Sequence, residues 1–98
     1  MTTTLPLPPL VGTRKRARTL VESLPPDLES KIVVVDCRDL MAATESFADE
    51  LITRVLVDRR AAQMHFVNVS DLEFANWADE RARFHHVSDR VKIDRRPS

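Results

Sequence analysis

Glycine is almost missing from this 98-residue chain, with Gly12 the only one. A Rossmann G-x-G-x-x-G turn or a Walker A loop needs at least two, because backbone amides must approach phosphates without a Cβ in the way. Both nucleotide-binding devices are therefore excluded, and so is the G-x-S-x-G nucleophile elbow. Cysteine is as scarce. Cys37 stands alone and can form no intramolecular disulfide, which fits a reducing compartment. Long apolar runs are lacking too: the longest, Ile32 to Val35, is far short of the ~20 residues that span a bilayer. The segment Met1 to Pro9 has neither a basic region nor a continuous apolar stretch, so it does not read as a signal peptide. Finally, there is no charge of one sign in excess. Fifteen basic and fifteen acidic residues give a formal net charge of zero, where a non-specific nucleic-acid or anionic-membrane binder carries a basic surplus. A cytoplasmic protein without a membrane or nucleic-acid partner is expected.

What is present describes one small globular domain, 43% apolar and 31% charged. Residues 1–11 carry Pro6, Pro8 and Pro9 and read as an extended arm, in which Thr4 to Leu7 can at best add an edge strand. Thr13 caps a helix over about 14–24, where Ala17, Leu20, Val21 and Leu24 form one apolar stripe. Pro25 and Pro26 end it. Lys31 to Asp36 is β-branched and apolar through its middle, the pattern of a strand covered on both faces. From Ser46 to about Val57 the apolar pairs recur every 3.6 residues, with Ser46 as the N-cap and acids in the first turn. Met64 to Val69 is a second strand. Ser70-Asp-Leu-Glu73 reads as a capping box opening a helix to Phe84, with Phe74, Trp77 and Phe84 taken as core. Val87 to Ile93 completes the order α-β-α-β-α-β as an edge strand, and 94–98 is a disordered tail. Such alternation implies a mostly parallel sheet of three to four strands flanked by helices.

Three stretches carry a resemblance: Val33-Val-Val-Asp-Cys-Arg-Asp-Leu40, Ser46-Phe-Ala-Asp-Glu-Leu51, and Phe66-Val-Asn-Val-Ser70. Over about residues 12–93 the chain resembles the STAS-like superfamily of sulfate-transporter cytoplasmic domains and anti-sigma-factor antagonists, and most of all its short bacterial branch. In that branch a Thr/Ser-Arg pair opens the first helix, here Thr13-Arg14, and Ser-Phe-Ala-Asp-Glu-Leu opens the next. The resemblance implies a STAS-like fold and a non-enzymatic regulatory module that binds a protein partner, an ATP-binding, anti-sigma-like kinase or another signalling protein. It places the contact at Cys37, Arg38, Asp39, Thr44, Glu45, Ser46, Phe47, Asp49 and Glu50, with Ser46 the phosphorylation site that releases the partner. Two departures stand out. Thr44-Glu45 replaces the Asp-Ser pair before the serine, and Phe47 replaces the glycine after it.

Other groups read more plainly. Cys37 follows a strand at the end where α/β ligands collect, but a catalytic thiol wants a nearby histidine, and His65 falls early in a strand. Cys37 therefore reads as a structural thiol. His85 and His86 are adjacent, without the spacing that aims two imidazoles at one ion. Asp36 and Asp39 lack the second acidic cluster and lysine of a phosphotransfer receiver. Arg14, Lys15, Arg16 and Arg18 read as a solvated helix face rather than a phosphate-binding one. No cofactor or metal is expected, and the chain is a monomer or a homodimer. A minimal enzyme at Asp36/Cys37 and a nucleic-acid-associated protein using Arg14 to Arg18 are the competing readings.

Overall fold

A computed structural model describes residues 2–95 as a two-layer α/β domain. Strand β1 (Thr2–Pro6) and the short β2 (Leu10–Val11) precede helix α1 (Arg14–Val21). Strand β3 (Ile32–Asp36) and the short β4 (Ala42–Ala43) precede α2 (Glu45–Ile52), which continues as a π-helical segment, Thr53–Asp58. Then come β5 (Gln63–Val69), α3 (Leu72–Phe84), a 3₁₀ turn (Ser88–Arg90) and β6 (Val91–Arg95). The main sheet runs β1-β3-β5-β6, parallel throughout, while β2 and β4 form a separate two-stranded parallel ladder. The strands expected at 31–36 and 64–69 are β3 and β5, which pair directly and in parallel, Ile32 with Gln63 through Asp36 with Val67.

The segment expected as an arm is part of the fold. Residues 2–6 form an edge strand against β3, where Pro6 needs no ladder hydrogen bond on its outer side. Leu5, Leu7 and Val11 are buried in the core. Of the expected tail, Asp94 and Arg95 belong to β6 and the rest lies outside the described residues.

Each crossover steps one strand in the same direction, so right-handed connections put all three helices on one face of the sheet. The burial alternates accordingly. Leu5, Val33, Val35, Met64 and Phe66 are buried beneath the helices, with Phe66 edge-on to Phe74 of α3. Their neighbours Thr2, Thr4, Pro6, Gln63 and Lys92 are exposed, and Ile32, Val34, His65 and Val67 are half-buried. The expectation that β3 is covered on both faces is therefore corrected: its apolar run has helices over one face only.

The caps are corrected as well. Thr13 caps α1, accepting from the Arg16 amide at 3.0 Å, as expected. Thr44, not Ser46, caps α2, because its backbone is extended (φ −120°, ψ 162°) whereas Ser46 already lies inside the helix. Likewise Asp71, not Ser70, caps α3, accepting from the Glu73 and Phe74 amides. Phe84, taken as core, is 65% exposed.

Candidate protein-binding surface and the charge network behind it

Strands β1, β3 and β5 deliver the chain to one end of the sheet, and α1, α2 and α3 each start there. Two of these starts are fastened together. The Thr44 hydroxyl accepts the Phe47 amide at 3.1 Å and donates to the Gly12 carbonyl at 2.9 Å, so one side chain caps α2 and ties it to the residue preceding α1's own cap. The Pro9 carbonyl accepts from the amides of Met41 and Ala42 at 2.8 and 3.1 Å, which sets the β2–β4 ladder beside this pair of helix starts. A shallow cavity of about 280 Å³ lies over the ladder, lined by Leu10, Val11, Gly12, Ala42, Ala43 and Thr44. At its margin Leu10 is 70% and Met41 76% exposed. Arg38, Asp39, Glu45 and Ser46 are also exposed at this end.

The nine residues expected to contact a partner divide. Arg38, Asp39, Thr44, Glu45 and Ser46 lie at the surface, whereas Cys37, Phe47, Asp49 and Glu50 are buried and correct that expectation. Phe47 points into the core, and Asp49 and Glu50 are closed over by arginines. Leu10 and Met41 were not anticipated. Both sit in short non-periodic segments, where helix or strand patterning gives no inside–outside signal, and only their position next to Pro9 or in the turn before α2 could have marked them.

Asp49 and Glu50 project from α2, the middle helix, between α1 and α3. Arg14 of α1 donates to Asp49 Oδ2 at 2.7 Å and to Glu50 Oε1 at 3.3 Å. Arg81 of α3 donates to Asp49 Oδ1 at 2.9 Å, and His85 Nε2 lies 2.7 Å from the same oxygen. His85 Nε2 is also 3.2 Å from the Thr53 hydroxyl, which itself donates to the Asp49 carbonyl. Since both neighbours of Nε2 are acceptors, that nitrogen carries the proton. Glu50 Oε2 accepts from Arg18 and Arg54 at 3.3 and 2.7 Å. Burial alone pushes the Asp49 carboxyl up, yet hydrogen bonds from Arg14, His85 and Arg81 outweigh it and hold the group at about 2. Glu50 is lowered in the same manner: burial raises it, and Arg54, Arg14 and Arg18 more than compensate. The network clamps three helices through two carboxylates. Arg14, the first residue of α1, and the adjacent pair Asp49-Glu50 of α2 meet in it directly.

The competing sites are occupied otherwise. Cys37 is 1% exposed, and burial, with Asp36 nearby, pushes its thiol up to about 12, far from a thiolate nucleophile at neutral pH. Asp36 Oδ1 accepts from the Arg38 amide and from Asn68 Nδ2, both at 3.0 Å. Asn68 has φ 59° where the β5–β6 register breaks, a left-handed conformation that asparagine tolerates better than most residues. His65 bonds Gln63 at 2.7 Å, toward the opposite end of the sheet. All four basic residues of the stretch are exposed, but Arg14 and Arg18 are also engaged by carboxylates of α2. Among the described residues no three metal-ligating side chains converge, and no helix is long and apolar enough to cross a membrane. Searches against family models, curated proteins and solved structures give no match to this chain.

Proposed function

We propose that the chain is a non-enzymatic regulatory module of STAS-like type, which binds a protein partner through the sheet end bearing Leu10, Met41 and the start of α2. The observation that carries the reading is the exposure of Leu10 on β2 and of Met41 just before β4, at the sheet end that also bears a polar helix start. Exposed apolar side chains rimmed by polar groups are the usual composition of a docking surface. The partner is an ATP-binding protein of the anti-sigma-like kinase class, and Ser46 is the residue that it phosphorylates. Ser46 is exposed in the first turn of α2, where free amides and the positive dipole end favour a phosphate. It also lies three and four residues before Asp49 and Glu50, hence on their side of the helix. A phosphoserine there competes with both carboxylates for Arg14, so modification would loosen the α1–α2 clamp as well as add charge to the docking surface.

Calorimetric titration against the anti-sigma-like ATP-binding proteins of the source genome tests the reading. Wild type binds one of them, and Met41→Asp weakens binding by at least about tenfold, since a charge enters a desolvated apolar contact. Equal affinity of the two proteins for that partner, or no binding by wild type, overturns it.

A further inference from the structure

Arg54 and Arg59 stand five residues apart, one near the start of the π-helical segment and one just past its end. In an α-helix five residues advance roughly 500°, which leaves the first and last side chains roughly 140° apart around the axis. The wider π turn bonds i to i+5, here the Arg59 amide to the Arg54 carbonyl at 3.1 Å, and so brings the two positions toward one face. Such turns are rare and recur at functional sites. Both arginines line one cavity of about 190 Å³, together with Arg18, Val21 and Glu22 at the end of α1. Each guanidinium is held in place. Glu50 Oε2 accepts from Arg18 Nη1 at 3.3 Å and from Arg54 Nε at 2.7 Å, and Asp58 accepts from Arg54 Nη1 at 2.6 Å. Arg59 Nη1 donates to the carbonyls of Leu24 and Pro25 at 2.8 and 3.0 Å. Arg59 differs from the other two in its charge: it is half-buried and, among the described residues, forms no ion pair. Arg18 and Arg59 each spend only Nη1 on the protein, so among the described residues their Nε and Nη2 donors are unspent.

We propose that this cavity binds a small tetrahedral oxyanion, either inorganic phosphate or the phosphate head of a small monoester. The number of forks selects the ligand. A carboxylate has two oxygens and is satisfied by a single guanidinium, whereas a phosphate offers three or four oxygens and up to two charges, enough for three guanidiniums at once. Size points the same way. At about 190 Å³ the cavity is smaller than the roughly 300–1,000 Å³ that holds a drug-sized ligand, so it takes a phosphate head and little more. The anion supplies the counter-charge that Arg59 lacks. Because Glu50, Asp58 and two backbone carbonyls already orient the three side chains, little ordering remains to be done on binding. Glu22 is the one acid lining the cavity, and it opposes an anion there. The site lies at the far end of α1 from the Leu10–Met41 surface and does not depend on that surface's role.

Proton–nitrogen NMR titration of the full chain at constant ionic strength tests this, with inorganic phosphate, methyl phosphate and acetate as the probes. Phosphate shifts the side-chain Nε–H resonances of Arg18, Arg54 and Arg59 and saturates in the millimolar range or below, while acetate binds at least about tenfold more weakly. Tighter binding of methyl phosphate than of inorganic phosphate assigns the site to a phosphorylated small molecule, and the reverse order assigns it to free phosphate. Arg59→Gln weakens phosphate binding by at least about tenfold. Glu22→Gln, which removes the acid lining the cavity and breaks no side-chain hydrogen bond among the described residues, tightens it by roughly two- to fivefold. Shifts that never saturate, or acetate that binds as well as phosphate, would overturn the proposal. So would an Arg59→Gln protein that binds as wild type does. Should Arg59→Gln fail to fold, Glu22→Gln decides alone: phosphate binding no tighter than wild type would overturn the site.

Discussion

The first and second turns of α2 are built from one continuous segment, yet they are opposites. Glu45 and Ser46 are exposed and border an apolar shelf, whereas Asp49 and Glu50 are buried among arginines from α1, α3 and the π-helical segment. The second turn holds the three helices together. The first presents something to the outside. Residues so close in sequence can differ this much because α2 is the middle helix: its flanks are covered by α1 and α3, while its start projects at the end of the sheet beside the β2–β4 ladder.

If that contrast is right, substitutions in the second turn should be the more damaging by a wide margin. Asp49→Ala strands Arg81 and His85, both less than a third exposed, without their acceptor, and should cost about 3–5 kcal/mol in urea denaturation. A loss below about 1 kcal/mol would mean that the clamp is ornamental. Acid titration probes the same group without mutation. The folded pKa of Asp49 is about 2, below its ordinary carboxylate value, so its contribution is present above the unfolded pKa near 4 and disappears as pH falls toward about 2. The amount is about 2 kcal/mol. Glu50, lowered likewise, acts in the same direction. Asp49→Asn should flatten the fall of stability between pH 5 and pH 2; an unchanged slope would remove Asp49 from the account.

How far the sequence discloses this contrast depends on the kind of signal. Long periodic segments are legible: Ala17 and Val21, Leu51 and Ile52, Phe74 and Ala78 all face the core as their spacing requires. The β-branched run of β3 and the strand at Met64–Val69 are legible too, and so is their place in a parallel sheet. Short elements are not, since β2 and β4 have two residues each and exist through the Pro9 carbonyl and each other rather than through any pattern. Nor does periodicity distinguish a buried acid from an exposed one. Asp49 and Glu50 look like first-turn acids complementing a dipole until Arg14, 35 residues earlier, and Arg81, 32 residues later, are seen to close over them. The helix-free second face of the sheet is invisible for a similar reason, because the apolar run of β3 does not record on how many faces helices will lie.

Thr44 lies just before the first turn and bears structure as well as surface. It accepts one hydrogen bond and donates another to Gly12, so Thr44→Ala should cost about 1 kcal/mol and at most about 2. Thr44→Ser, which keeps both bonds, should restore nearly all of it. If Thr44→Ala melted at the wild-type temperature, the tie between the α1 and α2 starts would carry no weight.

Ser46 gives the smallest effect on stability and the sharpest view of the difference between the turns. A sequence reading makes it the N-cap, whose removal costs about 0.5–2 kcal/mol. The structure gives that role to Thr44, so Ser46→Ala should change stability by no more than about 0.5 kcal/mol, the range of an exposed helical position away from special contacts. Ser46→Asp should be as mild, because a carboxylate in the first turn favours the dipole but sits one turn before Asp49 and Glu50. Stability and binding then separate. A partner docking over Leu10, Met41 and the α2 start must desolvate the new charge, so Ser46→Asp should weaken binding by about an order of magnitude while Ser46→Ala does not. Denaturation curves and titrations on the same three proteins make the comparison. A Ser46→Ala loss near 2 kcal/mol would return the cap to Ser46 and undo the division of α2 into a holding turn and a presenting one; equal binding by all three would leave the first turn exposed but idle.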